Sequence, residues 1–413
     1  MTTVEPARGG PVPRIGFACH WTRPLQTSWS GTPWNLRVEM AAVSQVVDVG
    51  VELPTVTRQV LKVAYARRGA GRWRSSWRQG LITKQLAQTA IRRQSLARGV
   101  DAVLEVQDLG PLPVPFLVLQ DLSYALLLER HGPDGVPHFR DVPRRRLEAL
   151  RRRQDRVYAE AAMLLPMSRW LRDSLVAGGV PPERVRVVNP GSDAVPAVGT
   201  AVPERRTRPE HRLLFVGRDF DTKGGAQVVA AFRLLRRELG ASVTLTVAGP
   251  DRWPLRGPVP EGITFLGRVA HQTVGELMDA ADLLVMPSQL EGFGIVFAEA
   301  LSRGLPCVGR DTCAMPEIID PASGGRLVRS ESPDELADLV RDALADDDLY
   351  ARCAAEADRR REHYTWRRAA REVVSAVEDV VSGVPTPDRA AGLPGLASSP
   401  SGTRRGQVGD RGE

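Results

Sequence analysis

The stretch LLVMPSQLEGFGIVFAEALSRGLPCV (residues 283–308) decides the fold. Its first four residues are apolar and predict a buried strand. Gly292 and Gly294 then allow a sharp turn, and residues 295–303 have the pattern of a helix. Gly304 suits the left-handed end of that helix, and a proline two residues later prevents its continuation. Because a second apolar run follows at once, the stretch predicts a strand–helix–strand unit of a parallel sheet.

The same alternation recurs in both halves of the chain. The first half opens on Arg14–Ala18, continues with a helix for which Thr32 is the predicted N-cap, and closes on an expected strand at 185–188. The fold class is therefore α/β, with two Rossmann-like domains whose strand ends face each other across a ligand cleft. The predicted organisation is a flexible N-terminus (1–13), a first domain (14–193), a linker (194–210), a second domain (211–364), a C-terminal helix packing back towards the first domain (365–383) and a disordered tail (384–413).

Composition limits the classes of protein that fit. The chain has 413 residues, 42% of them apolar and 25% charged, as in ordinary globular proteins. No window approaches about 18 uninterrupted apolar residues, so no membrane span is expected. Four cysteines without a CxxC pair predict a reducing, cytoplasmic location without disulfides or structural zinc. The net charge of +7 indicates an anionic partner, without choosing among nucleic acid, membrane and phosphorylated substrate.

Two carboxylates flank the glycine turn of the opening stretch. Glu291 precedes the turn, and Glu299 lies inside the predicted helix. Backbone N–H groups and the helix dipole at such a turn attract anions, whereas carboxylates accept hydrogen bonds from hydroxyls. The combination predicts a site for a sugar attached to a phosphate. The alternative, two solvated charges at a helix start, is the ordinary interpretation of an isolated pair of glutamates, and the preceding strand and glycines oppose it.

A second glycine turn, at Gly217, carries two cations. Arg218 and Lys223 follow a predicted strand and precede another helix, and Lys223 is one of only three lysines in the chain. Arginine binds phosphate through paired hydrogen bonds, and lysine acts as a compact charge. We interpret the pair as a phosphate site, with cations facing water as the alternative. The chain has no GxxxxGK[ST] and no GxGxxG after its first strand, which disfavours a P-loop or a nicotinamide site.

Four motifs of the second half resemble, in order and spacing, the family 4 (group 1) glycosyltransferases. They are Arg218…Lys223-Gly224, Val247-Ala-Gly249-Pro250, Phe265-Leu-Gly267-Arg268-Val269 and Glu291-x7-Glu299. The first half is similar to the same family at SWSGTP (28–33) and from SRW (168–170) to VVNPGSD (187–193), and YTW (364–366) resembles the start of the family's C-terminal helix. The likeness covers residues 14–382.

The resemblance implies the GT-B architecture, which consists of two facing Rossmann-like domains. It implies a retaining transfer of a hexose-type sugar from a nucleotide diphosphate donor to an acceptor hydroxyl, with no cofactor and no bound metal. By position, Arg218 and Lys223 would neutralise the diphosphate. Glu291 would hold the sugar hydroxyls, and Glu299 the ribose. The other donor-binding residues that it implies are Gly31, Gly217, Arg268, Val269, Gly292, Phe293, Gly294, Ile295 and Val296.

One departure from the family concerns the first domain. Many members carry a histidine there that reaches the donor sugar, whereas the equivalent stretch of this chain, FLVLQDLSY (116–124), offers Asp121. Asp121 is therefore the candidate for that catalytic place. His20, at the end of the first strand, is a weaker candidate whose alternative is a structural role. In such enzymes the departing phosphate takes the acceptor proton, so Glu291 is not assigned as a nucleophile.

Two stretches of the first half are strongly basic. Residues 67–78 interleave arginine with tryptophan, and residues 144–156 charge one helix. Arginine beside tryptophan suits an anionic membrane interface and also a nucleic-acid backbone, and the alternative is a solvated arginine-rich face. We expect a cytoplasmic protein. The sequence leaves open whether it binds peripherally to the inner face of the cell membrane. The candidate acceptors are a lipid-linked or cell-surface glycan and a secondary metabolite, and nucleic acid is the less favoured partner.

Three rival functions remain open on the sequence alone. One is another enzyme of the same architecture, such as a sugar-nucleotide epimerase or a phosphorylase, although no lysine after Lys223 could hold a phosphorylase's pyridoxal phosphate. Another is a nucleic-acid- or membrane-binding protein that uses the basic first domain. The third is a catalytically silent scaffold, which the intact cation and glutamate pairs oppose. The sequence predicts neither the base and sugar of the donor nor the oligomeric state.

Overall fold

The computed structural model describes residues 12–69, 72–132, 142–203 and 211–383. The predicted tail (384–413), most of the predicted N-terminal segment and part of the predicted linker (204–210) lie outside the described residues.

The first domain is a parallel sheet covered by helices. Its elements are β1 (Arg14–Ala18), α1 (Thr32–Ala41), β2 (Gln45–Asp48), α2 (Thr55–Ala64), β3 (Ala66–Gly69), β4 (Arg72–Ser75), α3 (Leu81–Arg98), β5 (Ala102–Val106), β6 (Phe116–Gln120), α4 (Tyr124–Glu129), α5 (Arg144–Glu160), β7 (Met163–Pro166) and α6 (Arg169–Ala177). The strand order is β2-β1-β5-β6-β7, and β3 and β4 form a separate antiparallel hairpin. The central strands β5 and β6 are buried at every position, as a sheet covered on both faces requires.

The second domain repeats this plan with six parallel strands. Its elements are β8 (His211–Val216), α7 (Gly225–Leu239), β9 (Val243–Ala248), β10 (Ile263–Gly267), α8 (His271–Ala280), β11 (Leu283–Val285), α9 (Ile295–Ser302), β12 (Cys307–Arg310), α10 (Met315–Ile318), β13 (Gly325–Val328), α11 (Pro333–Ala345), α12 (Asp347–Ala355), α13 (Ala357–His363) and α14 (Trp366–Val381). The strand order is β10-β9-β8-β11-β12-β13. Two Rossmann-like parallel sheets confirm the predicted fold class.

The last helix ties the two domains together. Helix α14 packs against α1 and against the first sheet at β5 and β7. An ion pair of 2.7 Å between Arg186 and Asp379 anchors the helix beside the end of the first domain. Thr365 caps its N-terminus by accepting a hydrogen bond from the Arg368 amide. The chain therefore crosses back after the second domain and completes the cover of the first.

Two local expectations were wrong. Helix α1 begins at Thr32 itself, and its N-cap is Gly31, whose φ of 87° lies in the left-handed region. Glycine adopts that conformation without the steric cost that a side chain would add, so the chain enters the helix one residue earlier than a threonine cap would allow. The expected strand at 185–188 is reduced to a single bridge between Val185 and Leu164.

In the described ranges, every helix is too short or too polar to cross a bilayer.

Glu105 is an ionisable group in the middle of the first sheet, and it makes stability depend on pH. Its carboxyl is fully buried on β5 and accepts hydrogen bonds from the amides of Leu109 (3.0 Å) and Gly110 (3.2 Å). Burial raises the pKa of Glu105 from 4.5 to about 8. The folded protein therefore keeps a proton that the unfolded chain releases, and this contribution to stability is lost as the pH rises from about 5 to 8.

The variant Glu105→Gln should remove this pH dependence, because an amide resembles the protonated carboxyl and does not ionise. Relative to the unmodified protein, we expect the variant to gain on the order of 3 kcal/mol in the free energy of unfolding between about pH 5 and pH 9. Urea unfolding at several pH values measures this difference. Parallel pH profiles for the two proteins would show that Glu105 is ionised in the fold.

Candidate functional site

A cleft of about 830 Å³ runs between the two domains. Its walls come from the turns after β1 and β6 in the first domain and after β8, β9, β10 and β11 in the second. These are the carboxyl ends of the strands, the edge at which open α/β sheets bind ligands. The sequence-predicted site residues in its walls are Gly31, Asp121, Gly217, Arg218, Arg268, Val269, Glu291, Gly292, Phe293, Gly294, Ile295, Val296 and Glu299.

Lys223 is not part of the cleft wall, but it reaches the cleft through Glu291. Its ammonium lies 2.5 Å from Oε1 of Glu291. The Lys223 side chain is 25% exposed and the Glu291 side chain 9%. Water screens such a half-buried pair only in part, so the attraction holds both side chains beside the cleft. A ligand phosphate would compete with Glu291 for the ammonium.

Arg218 supplies a second cation on the same side of the cleft. It follows the end of β8 by two residues, and its side chain is exposed. Within the described residues, its guanidinium makes no ion pair. A guanidinium without a carboxylate partner can give its paired donors to an incoming phosphate. Arg218 and Lys223 therefore offer positive charge beside the turn that leads into α7.

Glu299 lies on α9 and is 2% exposed. The hydroxyl of Ser192 donates a 2.5 Å hydrogen bond to its Oε1, and the same oxygen is 3.4 Å from Nε2 of His271. The hydrogen bond with Glu299 raises the pKa of His271 above 6.5. A buried carboxylate that already accepts from a hydroxyl is suited to accept from the hydroxyls of a sugar or ribose.

Ser192 and His271 were missed as site residues by sequence reasoning. Ser192 lay inside the quoted stretch 187–193, and His271 follows Arg268 by three residues. Neither residue type stands out in a single sequence. Only the fold, which brings the end of the first domain against α8 and α9, shows that both touch Glu299.

Asp121 lies where the two domains touch. Nε2 of Gln107, a residue held at the left-handed φ of 70°, donates to its Oδ1 at 3.1 Å. Burial is the main reason why the pKa of Asp121 is raised, and the Glu291 charge adds to it. A Cβ on Gly292 would stand 2.7 Å from the Asp121 carbonyl oxygen, so glycine permits this close approach. The structure thus brings Asp121 against the loop of the second domain.

Two further predicted residues, Arg268 and His20, have other partners than the groups described above. Arg268 lies in the cleft wall, but its guanidinium pairs with Asp251 at 2.5 Å and both side chains are more than half exposed. His20 is not part of the cleft wall. Its ring lies edge-on to Trp77, with the ring centres 5.6 Å apart, and burial lowers its pKa to about 4. A neutral, packed imidazole fits the structural alternative for His20.

Residues 203–360 match the family model described as glycosyl transferases group 1. The second half of the chain is similar to the group 1 glycosyltransferases. The matched span contains β8 to α12 and the start of α13, and with them Arg218, Lys223, Glu291 and Glu299. The resemblance inferred from the four motifs of the second half is thereby confirmed.

Individual relatives support the same similarity. It is 26% identical over 218 residues to the amylovoran biosynthesis glycosyltransferase AmsK of Erwinia amylovora, a match that covers 50% of this chain and 53% of AmsK. The chain spans about half the length of the curated relatives it matches.

Solved structures show the same fold. The sucrose-phosphate synthase of Thermosynechococcus elongatus superposes with a TM-score of 0.67 at 16% identity, covering 90% of this chain and all of the other. Anabaena HepE in complex with UDP and glucose superposes with a TM-score of 0.60 at 15% identity, covering 89% of this chain and 99% of the other. At these identities the likeness establishes the two-domain architecture of this protein.

Proposed function

We propose that this protein transfers a sugar from a nucleotide diphosphate donor to an acceptor hydroxyl. One observation carries the proposal: a single cleft is lined by a guanidinium that makes no ion pair among the described residues, a carboxylate that pairs with an ammonium, and a second, buried carboxylate. These groups match in kind the parts of such a donor, which are two phosphates, a hexose-type sugar and a ribose. HepE, with the same fold, has been observed with UDP and glucose in its structure, which supports the same class of ligand here.

In this proposal the cations act on the leaving group. Breaking the bond between the anomeric carbon and the diphosphate oxygen adds negative charge to that oxygen. Arg218 and Lys223 are fixed on the fold before the reaction, so they stabilise this growing charge more than the charge of the bound donor. Lys223 would exchange its carboxylate partner for the phosphate, which frees Glu291 to accept hydrogen bonds from the sugar.

The transfer itself would proceed with retention of the anomeric configuration. The acceptor oxygen forms its bond to the anomeric carbon on the face that the diphosphate leaves, and the departing phosphate oxygen takes the acceptor proton. The products are the glycosylated acceptor and the nucleoside diphosphate. Asp121 would contact the donor sugar from the first domain, since it lies against Gly292 beside Glu291. The acceptor would be held by the first domain.

A ligand screen tests the donor assignment. Thermal denaturation in the presence of UDP, GDP and TDP, each against its monophosphate, should show a rise in melting temperature for one diphosphate. The monophosphate should give a much smaller rise, because it lacks the second phosphate that Arg218 and Lys223 would bind together. Product NMR with the corresponding nucleotide sugar then reports the anomeric configuration. No stabilisation by any nucleoside diphosphate would reject the proposal.

A further inference from the structure

Helix α2 carries an apolar face that no part of the described chain covers. Val56, Val60 and Val63 recur at helical spacing, which places them on one side of the helix. They are 76%, 62% and 76% exposed, and the only buried residue of the helix is Leu61. Isolated exposed apolar residues are ordinary, but three on one helix face form a continuous patch that marks an interaction surface.

Further exposed apolar side chains lie on the elements next to α2. The hydroxyl of Ser75 on β4 donates to the Lys62 carbonyl oxygen at 2.7 Å, which joins the β3–β4 hairpin to α2. On that hairpin Trp73 is 73% exposed. Tyr65, which follows α2, accepts a hydrogen bond from the amide of Ile82 at the start of α3, and Ile82 and Leu81 are exposed as well.

The fold also brings the two basic stretches of the sequence to this region. Nη1 of Arg146, in the first turn of α5, donates to the Ser76 hydroxyl at 2.7 Å, and its guanidinium lies 5.0 Å from the ring centre of Tyr65. Further along α5, Arg152 and Arg156 line a shallow depression together with Leu81 and Ile82. The described residues of the 67–78 stretch and residues 144–156 therefore belong to one surface, although many residues separate them in the sequence.

Many cations of this surface are not neutralised by acidic neighbours. On α5 the carboxylates of Glu148 and Asp155 pair with Arg144 and Arg151. The exposed cations of this region that make no ion pair among the described residues are Lys62 on α2, Arg68 on β3, Arg78 between β4 and α3, and Arg145, Arg152 and Arg156 on α5. Unpaired positive charge beside exposed valine, isoleucine and tryptophan is complementary to an anionic interface with an apolar interior.

We infer that this surface, formed by α2, the β3–β4 hairpin, the start of α3 and α5, docks on an anionic lipid bilayer. Val56, Val60, Val63 and Trp73 enter the boundary between headgroups and acyl chains, and the cations contact the lipid phosphates. The first domain would then face the membrane. A transferase docked in this way would find a lipid-linked hydroxyl as its acceptor. Only this last step rests on the proposed function.

Vesicle co-sedimentation of the full chain tests the inference. The vesicles contain phosphatidylcholine alone or with about one third phosphatidylglycerol, and the salt is set at about 0.05 M and about 0.5 M NaCl. We expect binding to the anionic vesicles that weakens at high salt. The triple variant Val56→Gln, Val60→Gln and Val63→Gln should bind about tenfold more weakly, since it loses apolar contact with the bilayer while all cations remain.

A matched control changes three exposed valines elsewhere. Val38→Gln, Val259→Gln and Val381→Gln together should leave vesicle binding intact. Both variants should keep the melting temperature and the nucleotide affinity of the unmodified protein. Nucleotide affinity tests the donor assignment and vesicle binding tests the docking surface, so the failure of one is distinguished from the failure of the other. Absent binding to anionic vesicles, or equal binding by the α2 variant, would overturn the inference. A self-association that the α2 variant abolishes, seen by analytical ultracentrifugation, would instead assign the surface to a second copy of the chain.

Discussion

Replacing Lys223 with alanine should lower turnover by about 10²–10³-fold at saturating donor. The ammonium lies beside Glu291 at the cleft, where it would stabilise the diphosphate as the glycosidic bond breaks. Such a contact strengthens in the transition state, so kcat should fall more than nucleotide affinity does. Steady-state kinetics with the donor found in the ligand screen measure the loss.

Two companion variants show whether the loss belongs to the site. Arg341 on α11 pairs with Glu238 and Asp338, each at 2.7 Å, and Arg341→Ala should remove these surface ion pairs without affecting turnover. Lys223→Arg keeps the charge and should recover part of the activity. Unchanged kcat in Lys223→Ala, with the melting temperature preserved, would remove this lysine from the reaction.

Replacing Glu299 with alanine should weaken binding of the nucleoside diphosphate by about 10–100-fold. A hydrogen bond to a charged group contributes about 1.5–3 kcal/mol, and about 1.4 kcal/mol corresponds to a tenfold change in affinity. Isothermal calorimetry measures the change directly. The effect should lie in affinity and less in kcat, because a ribose contact is the same in the bound donor and in the transition state.

The partners of Glu299 provide the controls for this second variant. Ser192→Ala removes the hydroxyl that now occupies Oε1 and keeps the carboxylate, so nucleotide affinity should be unchanged or higher. In Glu299→Ala the pKa of His271 should fall, which NMR titration of the imidazole reports even without nucleotide. If that pKa falls while nucleotide affinity stays the same, Glu299 has the observed geometry but not the ribose role.

The architecture could be predicted from the sequence because it depends on local signals. The βα turn before α9 carries glycines at fixed places, and Gly304 ends the helix with a φ of 66°. Buried parallel strands such as β5 and β6 are apolar except for Glu105 and Gln120, and this pattern can be recognised without knowledge of distant residues. The predicted start of helix α1 was wrong by one residue, because both Gly31 and Thr32 are residue types that can occupy the N-cap position.

The details of the site depend on contacts between distant residues, and these are not encoded locally. The hydroxyl that donates a hydrogen bond to Glu299 belongs to Ser192 of the first domain, 107 residues away in the chain. The contact between Asp121 and Gly292 exists only because the two sheets face each other. Helix α2 escaped prediction as well. Its valines favour strands, and the sequence does not show that its apolar face points to solvent and not to the core.

The most direct test of the account is a crystal structure of the protein with the nucleoside diphosphate that raises its melting temperature. We predict that its phosphates lie within hydrogen-bond distance of Arg218 and Lys223, and that the ribose hydroxyls replace Ser192 on Glu299. The Lys223–Glu291 ion pair should be open in that complex. A nucleotide bound outside the cleft, or inside it with the phosphates away from both cations, would contradict the account.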